Sequence, residues 1–161
     1  KSLELAPNSA WIFASFGLTY IMKNQHSRAE EVLKQSLNLD PVSSYAHYLM
    51  GLLNKEKNPE LSKSHLRFAV DYFRSESKTT AKPWHKANEF ECIGIVHLLS
   101  GNKTEAEEAI KNAIKYAQAT PENIWIFSEE KMKLTNRDDF LNECKRKLEE
   151  IKPGGKKIEK A

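Results

Sequence analysis

No apolar run in the chain approaches the roughly 20 residues that cross a bilayer as a helix, and residues 1–7 lack the apolar centre of a signal peptide. No membrane role is therefore expected. Cysteine is also scarce. Cys92 and Cys144 are the only two, far apart and outside any metal-ligand spacing, so the reducing cytoplasm is the simpler expectation for compartment. Six Gly and six Pro are too few for a collagen-like or low-complexity chain. No Gly-rich loop precedes a helical pattern to cradle phosphate, and no Ser or Cys stands in a recognisable nucleophile motif with a base and an orienter. Among the five histidines, His26, His47, His65, His85 and His97, no two lie three or four residues apart on one helix as a metal pair would. The chain is expected to be no enzyme, with no cofactor and no metal.

A surplus of positive charge over the body of the chain is missing as well. The formal net charge is +3, yet residues 145–161 hold seven Lys/Arg against three Glu, which leaves −1 for everything before them. A nucleic-acid binder spreads basic residues over a folded face, so such a partner is not expected for the body, and an RNA-binding α-solenoid ranks below the alternatives. Residues 152–161 read as a basic flexible tail. The chain begins without Met, inside what reads as a helix end (Leu3, Leu5, then Pro7), and a piece of a longer protein is the expectation. Asn102, Lys103 and Thr104 match the glycosylation acceptor pattern, which matters only in a secretory context.

What is present is repetition. Leu5 and Leu39, Pro7 and Pro41, Trp11 and Tyr45, Phe16 and Met50, Gly17 and Gly51, and Leu18 and Leu52 stand at an offset of about 34 residues. A larger offset pairs Ala10 with Ala87, Phe13 with Phe90, Phe16 with Ile93, Gly17 with Gly94, Tyr20 with His97, Ser27 with Thr104, Ala29 with Ala106, Leu33 with Ile110, and Ser36 with Ala113. Pro7, Trp11, Ile12 and Phe13 recur once more as Pro121, Trp125, Ile126 and Phe127. In the first unit Phe13, Phe16 and Tyr20, then Ala29, Leu33 and Ser36, fall at three- and four-residue steps. Two helices facing each other are predicted.

Ser27 with Glu30, and Thr104 with Glu107, have capping-box spacing and predict where the second helices start. Gly17, Gly51 and Gly94 sit inside helical patterns, where Gly costs about 1 kcal/mol relative to Ala, so close helix approach is expected there, with Ala29 and Ala106 as the facing small residues. Pro41 and Pro121 end second helices.

Large aromatic, large apolar, Gly and Tyr in a first helix, then Ala, large apolar, small residue and a closing Pro in a second, resemble the tetratricopeptide repeat. The resemblance implies an all-α fold, a right-handed α-α superhelix of antiparallel helical hairpins. Its units are 1–7 as the end of a preceding helix, 8–41, 42–82, 83–120, and 121–151 as degenerate capping helices, in one domain over 1–151. Ala10 to Pro41 match nearly every signature place, with Ser36 for the usual Ala and Leu33 where the family often has an aromatic. The second unit needs one extra residue in its Asn58, Pro59, Glu60 turn to bring Ser64, Phe68 and Tyr72 into register. Residues 74–82 read as a lengthened helix followed by a polar loop. The second helix of the third unit reads as about one turn longer. Phe140, Leu141, Cys144, Leu148 and Ile151 mark an amphipathic closing helix, stopped at Pro153.

The resemblance further implies a concave surface, lined by first helices, that holds a protein or peptide partner. The outward places there are Trp11, Ala14, Ser15, Leu18 and Met22, then Tyr45, Tyr48, Leu49 and Leu52, then Asn88, Glu91, Cys92 and Ile95, with Trp125 at the place of Trp11 and Tyr45. Some members grip a C-terminal carboxylate with Lys, Asn and Arg; Ala14, Leu18, Leu49, Asn88 and Cys92 stand at those places, and that binding mode is not expected. The same aromatic row equally suits packing against a preceding repeat, and a longer solenoid, or self-association through the N-terminal end with Trp11 and Leu18 buried, stays open beside the groove.

Overall fold

The computed structural model describes residues 9–152. Seven helices and one small sheet follow in order: α1 Ser9–Met22, α2 His26–Leu39, α3 Ser44–Asn54, α4 Pro59–Thr79, α5 Pro83–Leu99, α6 Lys103–Gln118, β1 Ile126–Ser128, β2 Lys133–Thr135 and α7 Arg137–Ile151. The architecture is all-helical apart from the two-stranded antiparallel pair. None of the described helices is long and apolar enough to cross a membrane. The expected helix end at 1–7, the stop at Pro153 and the tail beyond Lys152 lie outside the described residues.

The chain divides into two compact units, Lys1–Tyr72 and Phe73–Ala161. In the first unit α1 turns into α2 through Asn24, whose φ of 57° is left-handed. Gln25 N–H donates to Tyr20 O at 2.8 Å and Asn24 N–H to Ile21 O at 2.9 Å, a Schellman closure. In the second unit Gly101 takes the same place between α5 and α6 with φ 76°. There Asn102 N–H donates to His97 O at 2.9 Å and Gly101 N–H to Leu98 O at 3.1 Å. The repeat read from side chains thus extends to backbone bonds at equivalent positions. The helices begin one to two residues before the predicted capping boxes. Gln25 and Asn102 are the N-caps and neither side chain caps, so Ser27 and Thr104 lie within the first turn.

The helix glycines are contact points. A Cβ on Gly17 would run into the Leu33 side chain, on Gly51 into Leu66, and on Gly94 into Ile110. The facing residue is therefore a large aliphatic one, and Ala29 and Ala106, one turn earlier, are buried beside it. Leu66 at this place corrects the register expected for α4. Ser62 stands where Ala29 and Ala106 do, donating its hydroxyl to Gly51 O at 2.6 Å, whereas Phe68 is 47% exposed. The spacing from Gly51 to Leu66 is thus one residue shorter than from Gly17 to Leu33 or from Gly94 to Ile110, where one residue longer was expected. α4 carries two overlapping apolar stripes, and the one that lets a small residue meet Gly51 is buried. The helix continues to Thr79, as the long spacing to Gly94 suggested, while α6 exceeds α2 by only two residues, 16 against 14.

Residues 121–135 correct a second expectation. The stretch matching Trp11, Ile12 and Phe13 does not start a helix: Ile126, Phe127 and Ser128 form β1, paired antiparallel with Thr135, Leu134 and Lys133. Ile126, Ser128 and Thr135 turn inward, and Ile126 joins Ala87, Ile110, Ala113, Ala117, Phe140 and Cys144 in one core. α7 follows, capped by Asn136, whose side chain accepts from Asp139 N–H at 2.8 Å. It is the amphipathic closing helix that the periodicity indicated.

Candidate partner-binding face

From Ser9 to Met22, α1 contains no charged residue. A helix apolar all round is normally covered on every side. Ala10 and Ala14 are buried in its own unit, yet Trp11 is 67% exposed and Phe16 52%, with Ile12 and Met22 also exposed. The hydroxyls between them turn inward: Ser15 Oγ donates to Trp11 O and Thr19 Oγ1 to Ser15 O, both at 3.0 Å. The stripe therefore offers solvent an apolar surface with its polar atoms already satisfied.

The other expected site residues of this unit divide. Leu18 and Leu52 are half-buried, as is Tyr45, which stacks on Tyr48 with ring centroids 5.9 Å apart. Tyr48 (1% exposed) and Leu49 (0%) are core, which corrects their placement on an open face. They pack because α3, unlike α1, is a covered helix: Ala46 and Met50, the counterparts of Ile12 and Phe16, are buried too. Ile12 and Phe16 were not among the expected surface residues. Their signal lay in the unbroken apolarity of α1.

In the second unit the expected open face of α5 is closed by the chain itself. Asn88 Nδ2 donates to Phe127 O at 3.0 Å and to Glu129 Oε1 at 2.9 Å, and Glu91 Oε2 accepts Glu129 N–H at 2.9 Å. Lys147 Nζ from α7 reaches Glu91 Oε1 at 3.4 Å and also pairs with Glu130, which Arg146 contacts in turn. Ser128 Oγ donates to Glu143 Oε2, and Lys131 pairs with Glu143 Oε1, each at 2.6 Å. Glu91 and Cys92 are consequently fully buried and Asn88 is half-buried with its amide engaged, so none of these three is a free site residue, while Ile95 is half-buried.

Burial sets the electrostatics of this network. It pushes the Glu91 carboxyl up, against the attraction of Lys147. On Lys147 burial works the other way, but Glu91 and Glu130 outweigh it and hold the ammonium charged. Burial also raises the thiols: Cys92 well above the ordinary range and Cys144 to about 12, with neighbouring carboxylates adding to the effect. Neither is a nucleophile near neutral pH. No group of three or more His, Cys, Asp or Glu side chains gathers as a metal cage among the described residues.

No family model matches the chain, and no curated protein matches it.

Proposed function

We propose that the chain is a tetratricopeptide-like interaction module, a right-handed stack of helical hairpins that holds a protein or peptide segment on its inner face. The working surface is confined to the first unit, where Trp11 and Met22, with Leu18, Tyr45 and Leu52 beside them, remain accessible. The observation that carries this reading is the charge-free, exposed stripe of α1, because solvent-exposed aromatic and aliphatic side chains in a row supply the buried area that interfaces draw on. The test is affinity capture with the full-length chain followed by mass spectrometry, repeated with Trp11→Ala. An anchoring Trp is worth about 2 kcal/mol or more at an interface, so capture should weaken by about thirtyfold with helicity unchanged. Unaltered capture overturns the assignment. Tyr48→Ala is unsuitable for this purpose, since it opens the core.

A second reading, that α1 packs against another repeat or another copy of the chain, draws on Ile12 and Phe16, whose counterparts Ala46 and Met50 are buried. At 100° per residue these two side chains lie roughly 100° to 140° around the helix from Trp11. The two readings therefore separate by mutation. Phe16→Lys should abolish concentration-dependent sedimentation under the second and spare partner capture under the first. A monomer at all concentrations counts against self-association.

A further inference from the structure

His47 on α3 and His65 on α4 come from one hairpin of the first unit and face each other, with Nδ1 to Nδ1 at 2.8 Å and ring centroids 5.1 Å apart. His47 Nε2 lies 2.8 Å from Pro41 O. A carbonyl only accepts, so Nε2 of His47 carries its proton and the Nδ1 lone pair points at His65. Nδ1 of a neutral His65 therefore donates to it. Phe68 and Tyr72 lie beside the pair, their rings tilted to that of His47 with centroids 5.4 and 5.7 Å away. His47 is nearly buried while His65 is half-exposed, so the site is held from the inside and open to water on the His65 side.

We propose that His47 and His65 form a two-histidine site for a divalent transition-metal ion such as Zn2+ or Ni2+, with water completing the coordination. An imidazole that ligates a metal almost always donates its other N–H to a carbonyl or carboxylate, which sets its tautomer; the Pro41 carbonyl does this for His47. The spacing fits as well. Two nitrogens bound tetrahedrally at about 2.05 Å stand about 3.3 Å apart, with ring centroids about 5.2 Å apart. The rings are already at that separation, and tilting each so that the Nδ1 atoms part by about 0.5 Å admits the ion. The His65 proton moves from Nδ1 to Nε2, where solvent accepts its hydrogen bond, and the protein's net proton count is unchanged. With no third His, Cys, Asp or Glu gathered there among the described residues, the remaining positions stay open to water.

The test is titration of the full, chelator-stripped chain with Zn2+ alone and Ni2+ alone, by calorimetry at about pH 7.5, where His is neutral. One ion per chain is expected, and His65→Gln should weaken binding at least about tenfold, the smallest loss typical even of outer-sphere changes. The triple change His26→Gln, His85→Gln and His97→Gln should leave binding in place. Binding that survives H65Q, or that vanishes in the triple variant, overturns the site, as does no binding by the native chain at millimolar metal. Should H65Q lose its helical signal, histidine ring NMR of the native chain decides instead. The ring resonances of His47 and His65 must shift at the lowest Zn2+ concentrations, and another histidine shifting ahead of them refutes the proposal.

Discussion

Glu89 lies on α5 with Oε2 buried and without a hydrogen-bond partner among the described residues. Its Oε1 is 3.2 Å from Thr80 Oγ1, which also lies 3.0 Å from Glu76 O. A hydroxyl has one proton, so Thr80 can serve only one of these acceptors. Both contacts are satisfied when Glu89 is protonated, donating to Thr80 while Thr80 donates to Glu76 O. Burial, with the Glu76 charge adding to it and Thr80 and Lys86 opposing, pushes this carboxyl from its ordinary 4.5 up to about 7. Between those values the folded chain keeps a proton that the unfolded chain has lost. Stability therefore falls as pH rises from about 4.5 to about 7 and levels off above, by up to about 3 kcal/mol. Glu89→Gln supplies the same donor without the ionisation. It is expected to leave stability near pH 4 almost unchanged and to raise it by about 1–3 kcal/mol at pH 8, a shift of several degrees in Tm. Thermal and urea unfolding followed by circular dichroism at both pH values measures the difference. Equal effects at the two pH values, or a loss at pH 8, would refute the reasoning.

Gly17→Ala should destabilise by about 1–3 kcal/mol despite the roughly 1 kcal/mol gained in helix propensity, because the new Cβ meets the branch point of Leu33; Leu33→Ala should accordingly cost less in the Gly17→Ala chain than in the parent, and urea midpoints of the four chains report both. Lys147→Met leaves Glu91 buried without its cation and should lower stability by about 3–5 kcal/mol, while Glu91→Gln added to it should restore much of that in the same unfolding assay. A Lys147→Met chain as stable as the parent would mean that the ion pair does not hold α7 and the β-hairpin to α5.

The helical hairpins were legible because their signals are local. Gly17 with Leu33 and Gly94 with Ile110 recur at one offset, and the left-handed turn residue falls on Asn24 and Gly101, two residue types that tolerate that conformation. In α4 the sequence offered two stripes, Ser62 with Leu66 and Ala69, and Ser64 with Phe68 and Tyr72. Periodicity cannot choose between them, because the choice is made by which residue fits against Gly51. The β-hairpin was hidden for a related reason. Trp125, Ile126 and Phe127 copy a helix start, but the partners that hold this backbone extended, Asn88 and Glu91, are about 40 residues away in sequence. The candidate face was half legible: Trp11 and Tyr45 lie on first helices as read, whereas Trp125 precedes β1, and which places stay open depends on what folds over them.

One repeat position thus has two fates, and the side chains explain both. On α5 the residues equivalent to Trp11, Ala14 and Ser15 are Asn88, Glu91 and Cys92, and the first two give β1 and the residue after it the hydrogen bonds that an extended backbone lacks. On α1 the same places bear an indole, a methyl and a hydroxyl already bonded to its own helix. Such a surface cannot reward an extended backbone with hydrogen bonds, and it has no charge with which to steer one. A partner held on α1, as proposed, would contribute apolar side chains, and the attraction should follow buried area and not ionic strength. Partner capture is accordingly expected to be unchanged between about 0.05 and 0.5 M salt, where surface charge pairs are progressively screened. A steep loss of capture over that range would place the contact on the charged faces of α2 or α4 and remove α1 from the interface.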